Sequence, residues 1–342
     1  MTAAVDTGAI RRVLVRAPNW LGDTVMAVPT VRAIRRALPD AELWALGPWV
    51  ATVLEAEPAL DRRLAHPRGW PAHWRLARGL RRAGIDLAVL LPNSFEAALH
   101  AWLAGARVRI GYAGDGRSPL LTHPLPPPGE RRHQVALYLD LLRPLGLASA
   151  ATPPTLHVTS ARQAEARALL GRIGIDVGAR GVGIQLGAAF GPSKLWPPER
   201  LAALATTLEG DGAPVVFLGS ASAGGLLEAV AAGMARGPRS LVGQDHPALL
   251  PALLRELAVL VAPDTGPAHV AAAVGVPVVA LFGPTDPRLT APLGEGHAAL
   301  WSRPPCAPCF RPVCAIDHRC LGALTLEEVL AAVRARLAGS PA

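Results

Sequence analysis

Lysine is almost absent from this chain of 342 residues: of 34 basic side chains one is a lysine, Lys194, and the rest are arginines. Wherever any positive charge serves, the sequence uses arginine. A lysine kept in the Gly/Pro/Ser loop Gly187-Ala-Ala-Phe-Gly-Pro-Ser-Lys194-Leu-Trp-Pro is either a surface residue spared by chance or a site that needs a compact ammonium with three rotatable donors. Long apolar runs are lacking too. The longest nearly uninterrupted one, Val270 to Phe282, is 13 residues and contains Gly and Pro, whereas a bilayer span takes about 20. The N-terminus has neither the basic flank nor the apolar stretch of a signal peptide, so a cytoplasmic protein is expected. Aromatics are only 4%, and no RNP, zinc-finger or helix-turn-helix signature occurs, so nucleic acid is not the expected partner. Gly-x-Gly-x-x-Gly is missing after the first strand-like run, and Walker A is missing throughout. That argues against a dinucleotide dehydrogenase and a P-loop NTPase.

What is present suits two domains. Hydrophobic residues are 51% and charged residues 18%, enough for two cores. The net charge of +8 is uneven: residues 1–150 carry 19 Arg against 12 Asp and Glu, a net of +7, while residues 151–342 are close to neutral. Much of the excess lies in Arg62, Arg63, Arg68, Arg75, Arg78, Arg81 and Arg82. A solvated helix face explains any one of these; together they suggest an anionic partner for the first half, such as lipid or a phosphorylated glycan. Four cysteines fall close together, Cys306-x2-Cys309-x4-Cys314-x5-Cys320. They read as a structural zinc clip or as reduced structural thiols, since disulfides are disfavoured in a cytoplasmic chain.

Strand-like and helix-like patterns alternate twice. The first half predicts strands at 12–17, 42–46 and 86–91, a helix from Thr24 through Leu38 with Thr24 as its cap, and helices at 49–57, 71–83 and 132–145. After a Pro-rich linker near 146–156 and a helix at 161–173, strands at 181–186, 214–218, 240–242, 258–261 and 277–282 alternate with helices near 198–209, 222–235, 247–256 and 267–274. Two such arrays predict an α/β protein of two Rossmann-like domains, 1–155 and 156–342, facing a central cleft; the second includes the Cys-rich segment 306–320 and a final helix.

Three loops carry chemistry. The Lys194 loop follows a strand, where open sheets present phosphate ligands. In Pro263-Asp264-Thr265-Gly266-Pro267-Ala268-His269, Pro267 is placed as the first helical residue, and the Thr265 and Gly266 N–H groups suit a diphosphate at a helix start. Asp264 suits sugar hydroxyls, and His269 either donates to a phosphate or packs against the sheet. In Asn19-Trp20-Leu21-Gly22-Asp23, the carboxylate is either a general base or an acidic residue stabilised by the helix dipole.

Trp20-Leu-Gly-Asp23, Leu91-Pro-Asn93-Ser94-Phe95, Gly187 through Lys194-x-Trp196-Pro, Asp264-Thr-Gly-x-x-His269 and Phe282-Gly-Pro-Thr-Asp286 occur in order over most of the chain. Together they resemble the ADP-heptose:lipopolysaccharide heptosyltransferases of glycosyltransferase family 9, most closely the heptosyltransferase II branch. The resemblance implies a GT-B fold, with acceptor bound by the first domain and ADP-heptose by the second. It implies inverting transfer to the lipopolysaccharide inner core without a divalent metal or other required cofactor. It implies Asp23 as base, with Gly187, Ser193, Lys194, Asp264, Thr265, Gly266 and His269 on the donor. Asn93, Ser94 and Arg117 become acceptor candidates. A monomer is expected, working on an anionic glycolipid at the inner face of the cytoplasmic membrane. One departure stands out: where some members place an acidic residue on the donor ribose, this chain has Ala221-Ser-Ala-Gly.

Overall fold

The computed structural model describes residues 5–147, 150–176, 178, 180–244 and 246–339; of the linker expected at 146–156, residues 148 and 149 lie outside the described residues. The chain forms two compact units, Met1–Pro154 and Thr155–Ala342.

The first unit is a parallel sheet of β1 (Arg12–Arg16), β2 (Glu42–Gly47), β3 (Arg62–Ala65), β4 (Leu87–Leu90), β5 (Val108–Tyr112) and β6 (His123–Leu125), in the order β3-β2-β1-β4-β5-β6. All four residues of β4 are buried, because a parallel sheet is covered on both faces. Ile85, Ala88 and Leu90 join Leu14, Trp44 and Leu80 in one core cluster. The helix expected from Thr24 is two helices, Leu21–Met26 and Val28–Ala37. Pro29 has no N–H to donate back to the preceding turn, so the chain breaks at Ala27 and restarts with Pro29 in the new first turn. Thr24 lies inside the first helix, its hydroxyl donating to the Trp20 carbonyl at 3.0 Å, and caps nothing.

The second unit pairs β7 (Val182–Gln185), β8 (Val215–Leu218), β9 (Val259–Pro263), β10 (Val278–Phe282) and β11 (Ala298–Trp301), all parallel, in the order β11-β10-β9-β7-β8. The strand expected at 240–242 reduces to a single bridge from Ser240 to Phe217. Val182, Ile184, Phe217, Val261 and Leu281 meet the helices Pro198–Gly210 and Leu326–Gly339 in the second core.

In both sheets the strand order reverses once, between β1 and β4 and between β7 and β9. At such a reversal the following loops run to opposite faces and leave a crevice at the carboxyl ends of the strands. The loops singled out in the sequence leave these four strands. Phe217 is fully buried in the second core, so Phe217→Ala is expected to destabilise that unit by about 3–5 kcal/mol. Val313→Ala, at a side chain 63% exposed, should stay within about 0.5 kcal/mol. Chemical denaturation followed by tryptophan fluorescence compares the two.

Candidate functional site

In the second unit the β7 exit carries the lysine loop and the β9 exit carries Asp264-Thr-Gly. Lys194 ends a short 3-10 turn, Pro192–Lys194, and its residue is only 8% exposed. Its Nζ donates to the Asp264 carboxylate at 2.7 Å and to the Asp264 carbonyl at 2.6 Å, and it stands 4.9 Å from the centre of the Phe190 ring. The ammonium and the Asp-Thr-Gly turn therefore form one buried group. Their sequence motifs suggest separate tasks, lysine to phosphate and aspartate to sugar hydroxyls; the structure joins the two side chains in an ion pair. An ammonium has three donors, and two are committed to Asp264.

The helix Gly266–Ala273 starts beside this pair. Thr265 takes the cap position in extended conformation, yet its hydroxyl turns back to the Pro263 carbonyl at 3.2 Å and makes no cap. Gly266, not Pro267, is the first helical residue. This helix start has no side-chain cap, and the N–H groups of a first turn lack intrahelical acceptors, which favours an anion. His269 is buried inside the same helix.

Gly187 and Gly191 bend the lysine loop with φ of 84° and 145°. A Cβ at Gly191 would collide with the Pro312 carbonyl, so only glycine lets the loop lie against the Cys-rich segment. Ser193 completes that contact: its N–H donates to Pro312 O at 3.1 Å and its hydroxyl to Arg311 O at 2.6 Å. Expected on the donor, Ser193 is instead buried, with its hydroxyl committed to fastening the lysine loop. The four cysteine sulfurs are free thiols lining one cavity with Arg311 and Arg319. Burial pushes the Cys320 thiol up, the neighbouring Cys314 and Cys306 adding to the rise.

In the first unit the β1 exit leads to Asp23, half-buried in the first turn of Leu21–Met26. The Tyr138 hydroxyl is held well above its ordinary range by burial and then by the Asp23 charge, which puts the two within electrostatic reach. At the β4 exit Asn93 is exposed, while Ser94 caps the helix Phe95–Leu103 by accepting from Ala97 N at 3.3 Å. Arg117, an acceptor candidate from the sequence, is fully buried. Its guanidinium donates to the carbonyls of Tyr112, Pro92 and Ser94 and to Asn93 Oδ1 at 3.2 Å. It thereby shapes the loop, and Asn93 stays exposed. Of the arginine run, Arg63 is likewise committed, donating to the carbonyls of Leu54, Glu57 and Leu60.

One group carries no motif in the sequence: His66, His73, Glu96 and His100 converge beside β3. The Glu96-x3-His100 spacing was visible, but the strand that delivers His66 was not. Arg117→Met should strip several buried carbonyls of their donor, lowering stability by at least about 2 kcal/mol; an unchanged melting temperature would show that the guanidinium holds nothing.

The family model described as glycosyltransferase family 9 (heptosyltransferase) matches residues 73–319. Lipopolysaccharide heptosyltransferase 2 of Salmonella typhimurium is 31% identical over 310 residues, 83% of this chain and 86% of that one. The structure of E. coli ADP-heptose lps heptosyltransferase II superimposes with a TM-score of 0.82 at 27% identity, covering 96% of this chain and 98% of that chain. A glycosyltransferase family 9 structure from Veillonella parvula gives 0.87 at 22% identity, covering 98% and 99%. With switch-point loops of this chemistry and relatives matched over nearly their whole length, the chain belongs to glycosyltransferase family 9.

Proposed function

We propose that the chain is an inverting heptosyltransferase that moves heptose from ADP-L-glycero-D-manno-heptose to the inner core of lipopolysaccharide. The observation that carries this reading is the Lys194 ammonium held 2.7 Å from the Asp264 carboxylate, beside the uncapped helix start at Gly266. When the sugar–diphosphate bond breaks, negative charge grows on the diphosphate. A third ammonium donor and first-turn N–H groups stabilise that charge most in the transition state, which lowers the barrier rather than merely tightening binding. Asp264 fixes the ammonium and lessens its net charge, so the diphosphate is released after transfer. These cationic and dipolar groups supply the stabilisation that a divalent ion supplies elsewhere.

In the same reading Asp23 takes the proton from the acceptor hydroxyl as it attacks the anomeric carbon opposite the leaving group. Asn93, oriented by Arg117, offers amide donors to the acceptor. On the nucleoside side, the β8 exit offers serine hydroxyls in place of a carboxylate; Ser220 and Ser222 lie 2.9 Å apart there. Ribose recognition then rests on hydroxyls and backbone. The cysteine cavity lies behind the lysine loop, whose Ser193 bonds the Arg311 and Pro312 carbonyls.

The acceptor is an anionic glycolipid, and no helix among the described residues is long and apolar enough to cross a membrane. The helix Trp70–Ala83 exposes Trp70 at 70% and Trp74 at 53%, with Arg75, Arg78, Arg81 and Arg82 also exposed. Indole rings and guanidinium groups on one exposed helix suit an anionic bilayer surface.

Incubation with a panel of nucleotide-sugars and truncated lipopolysaccharide acceptors, read by mass spectrometry, should show heptose transfer from the ADP donor; transfer of another sugar alone would overturn the substrate assignment. Asp23→Ala should lower turnover at least ~10²-fold while leaving ADP binding unchanged in calorimetry. Near-normal turnover would remove the base role. Lys194→Ala should weaken ADP binding at least about 10-fold, about 1.4 kcal/mol, and Lys194→Arg should restore little, since a planar fork does not fit a site shaped for three tetrahedral donors.

A further inference from the structure

We propose that His66, His73 and Glu96 form a binding site for a divalent first-row transition-metal ion, zinc being the natural occupant, with His100 as the imidazole behind it. Three separate pieces of chain deliver these groups. His66 follows directly on the last residue of β3, His73 lies near the start of the helix Trp70–Ala83, and Glu96 and His100 sit one turn apart on one face of the helix Phe95–Leu103. One ligand atom from each of His66, His73 and Glu96 lies within 4.8 Å of the others, and among the described residues no other set of three or more His, Cys, Asp or Glu does so.

The polar atoms of this group are poorly satisfied by one another. His66 Nε2 is 3.3 Å from Glu96 Oε1, yet neither it nor the buried His100 Nδ1 has a hydrogen-bond partner. His100, with its side chain 8% exposed, stacks on His73 with ring centres 4.5 Å apart, and its Nε2 is 2.5 Å from His73 Nδ1. His73 Nδ1 and His100 Nδ1 are themselves 3.9 and 3.8 Å from Glu96 Oε1. Orphaned buried ring nitrogens cost free energy, and ring nitrogens grouped around one carboxylate are what an ion collects.

Imidazole nitrogens with one carboxylate oxygen make a donor set suited to zinc, cobalt or nickel and not to magnesium or calcium. Ligand–metal distances of about 2.0–2.2 Å require the three side chains to close by small rotations, the Glu96 side chain being the most exposed of the three. The buried Arg16 guanidinium opposes the ion electrostatically, and Glu96 offsets it. The site belongs to the first unit and the cysteine cavity to the second. An ion here ties the end of β3 to two helices and stiffens the start of the helix that Ser94 caps.

The test uses the full chain, freed of metal with a chelator and titrated with Co²⁺ under reducing conditions. Replacing all four cysteines, Cys306, Cys309 and Cys314 by serine and the buried Cys320 by alanine, removes thiolate ligation. In that background visible d–d bands are expected without sulfur-to-cobalt charge transfer, and Zn²⁺ should displace them. His66→Ala, His73→Ala and Glu96→Gln should each weaken binding at least about 10-fold and abolish the rise in melting temperature that Zn²⁺ gives the unmutated site. Glu96→Gln keeps shape at a side chain 45% exposed, so it remains informative if a histidine variant does not fold. Cobalt binding only with thiolate bands, or affinity unchanged in Glu96→Gln and His73→Ala, overturns the proposal.

Discussion

The ion pair between Lys194 and Asp264 is the constraint around which the second unit is organised. Taking both charges out of water costs several kcal/mol, and a buried pair of this kind often contributes nothing net to stability. A sequence that otherwise uses arginine for every positive charge keeps lysine here because a guanidinium cannot donate at once to a carboxylate, to the carbonyl of the same residue and to a third group in a tetrahedral arrangement. The pair draws the β7 loop onto the β9 turn. There the only cation of its kind in the chain meets a helix start left without a cap.

The supporting contacts reach far along the sequence. Gly191, Ser193 and the carbonyls of Arg311 and Pro312 fasten the lysine loop to the cysteine-bearing segment. Trp196, nearly buried, donates to Leu324 O at 3.2 Å and anchors the loop's far end. The cysteine segment thereby contributes to the position of the ammonium whether or not its thiols hold a metal. Arg117 does comparable work in the first unit: a fully buried cation committed to carbonyls sets the path of the Asn93–Ser94 turn. In both units charge is used to hold a loop at the switch point of a sheet, and the groups left facing outward are few.

Much of this was legible in the sequence because central parallel strands read as unbroken apolar runs, as Leu87–Leu90 and Val278–Phe282 do. The strands missed were chiefly edges. β3 is Arg-Arg-Leu-Ala and half exposed, β6 contains Pro124, and β11 borders its sheet on one side only, so none shows the pattern that two-faced burial imposes. β5, an inner strand, carries Arg109 and Gly111 in the middle of its run. At the site, motif and spacing located Lys194, Asp264, Gly266 and Asp23. They could not reveal which side chains turn inward: Ser193 and Arg117 are polar residues in loops, and only the three-dimensional path shows them donating to backbone. The histidine group was hidden for the same reason, since its members come from a missed strand and two helices.

A single lysine makes the central claim directly measurable. In protein labelled with ¹³C at lysine Cε, one side-chain cross-peak reports on Lys194 alone. Titration with ADP should shift that signal saturably, with an affinity matching calorimetry, and Asp264→Asn should alter the starting position of the peak. A cross-peak that stays in place while calorimetry shows ADP bound would contradict the account.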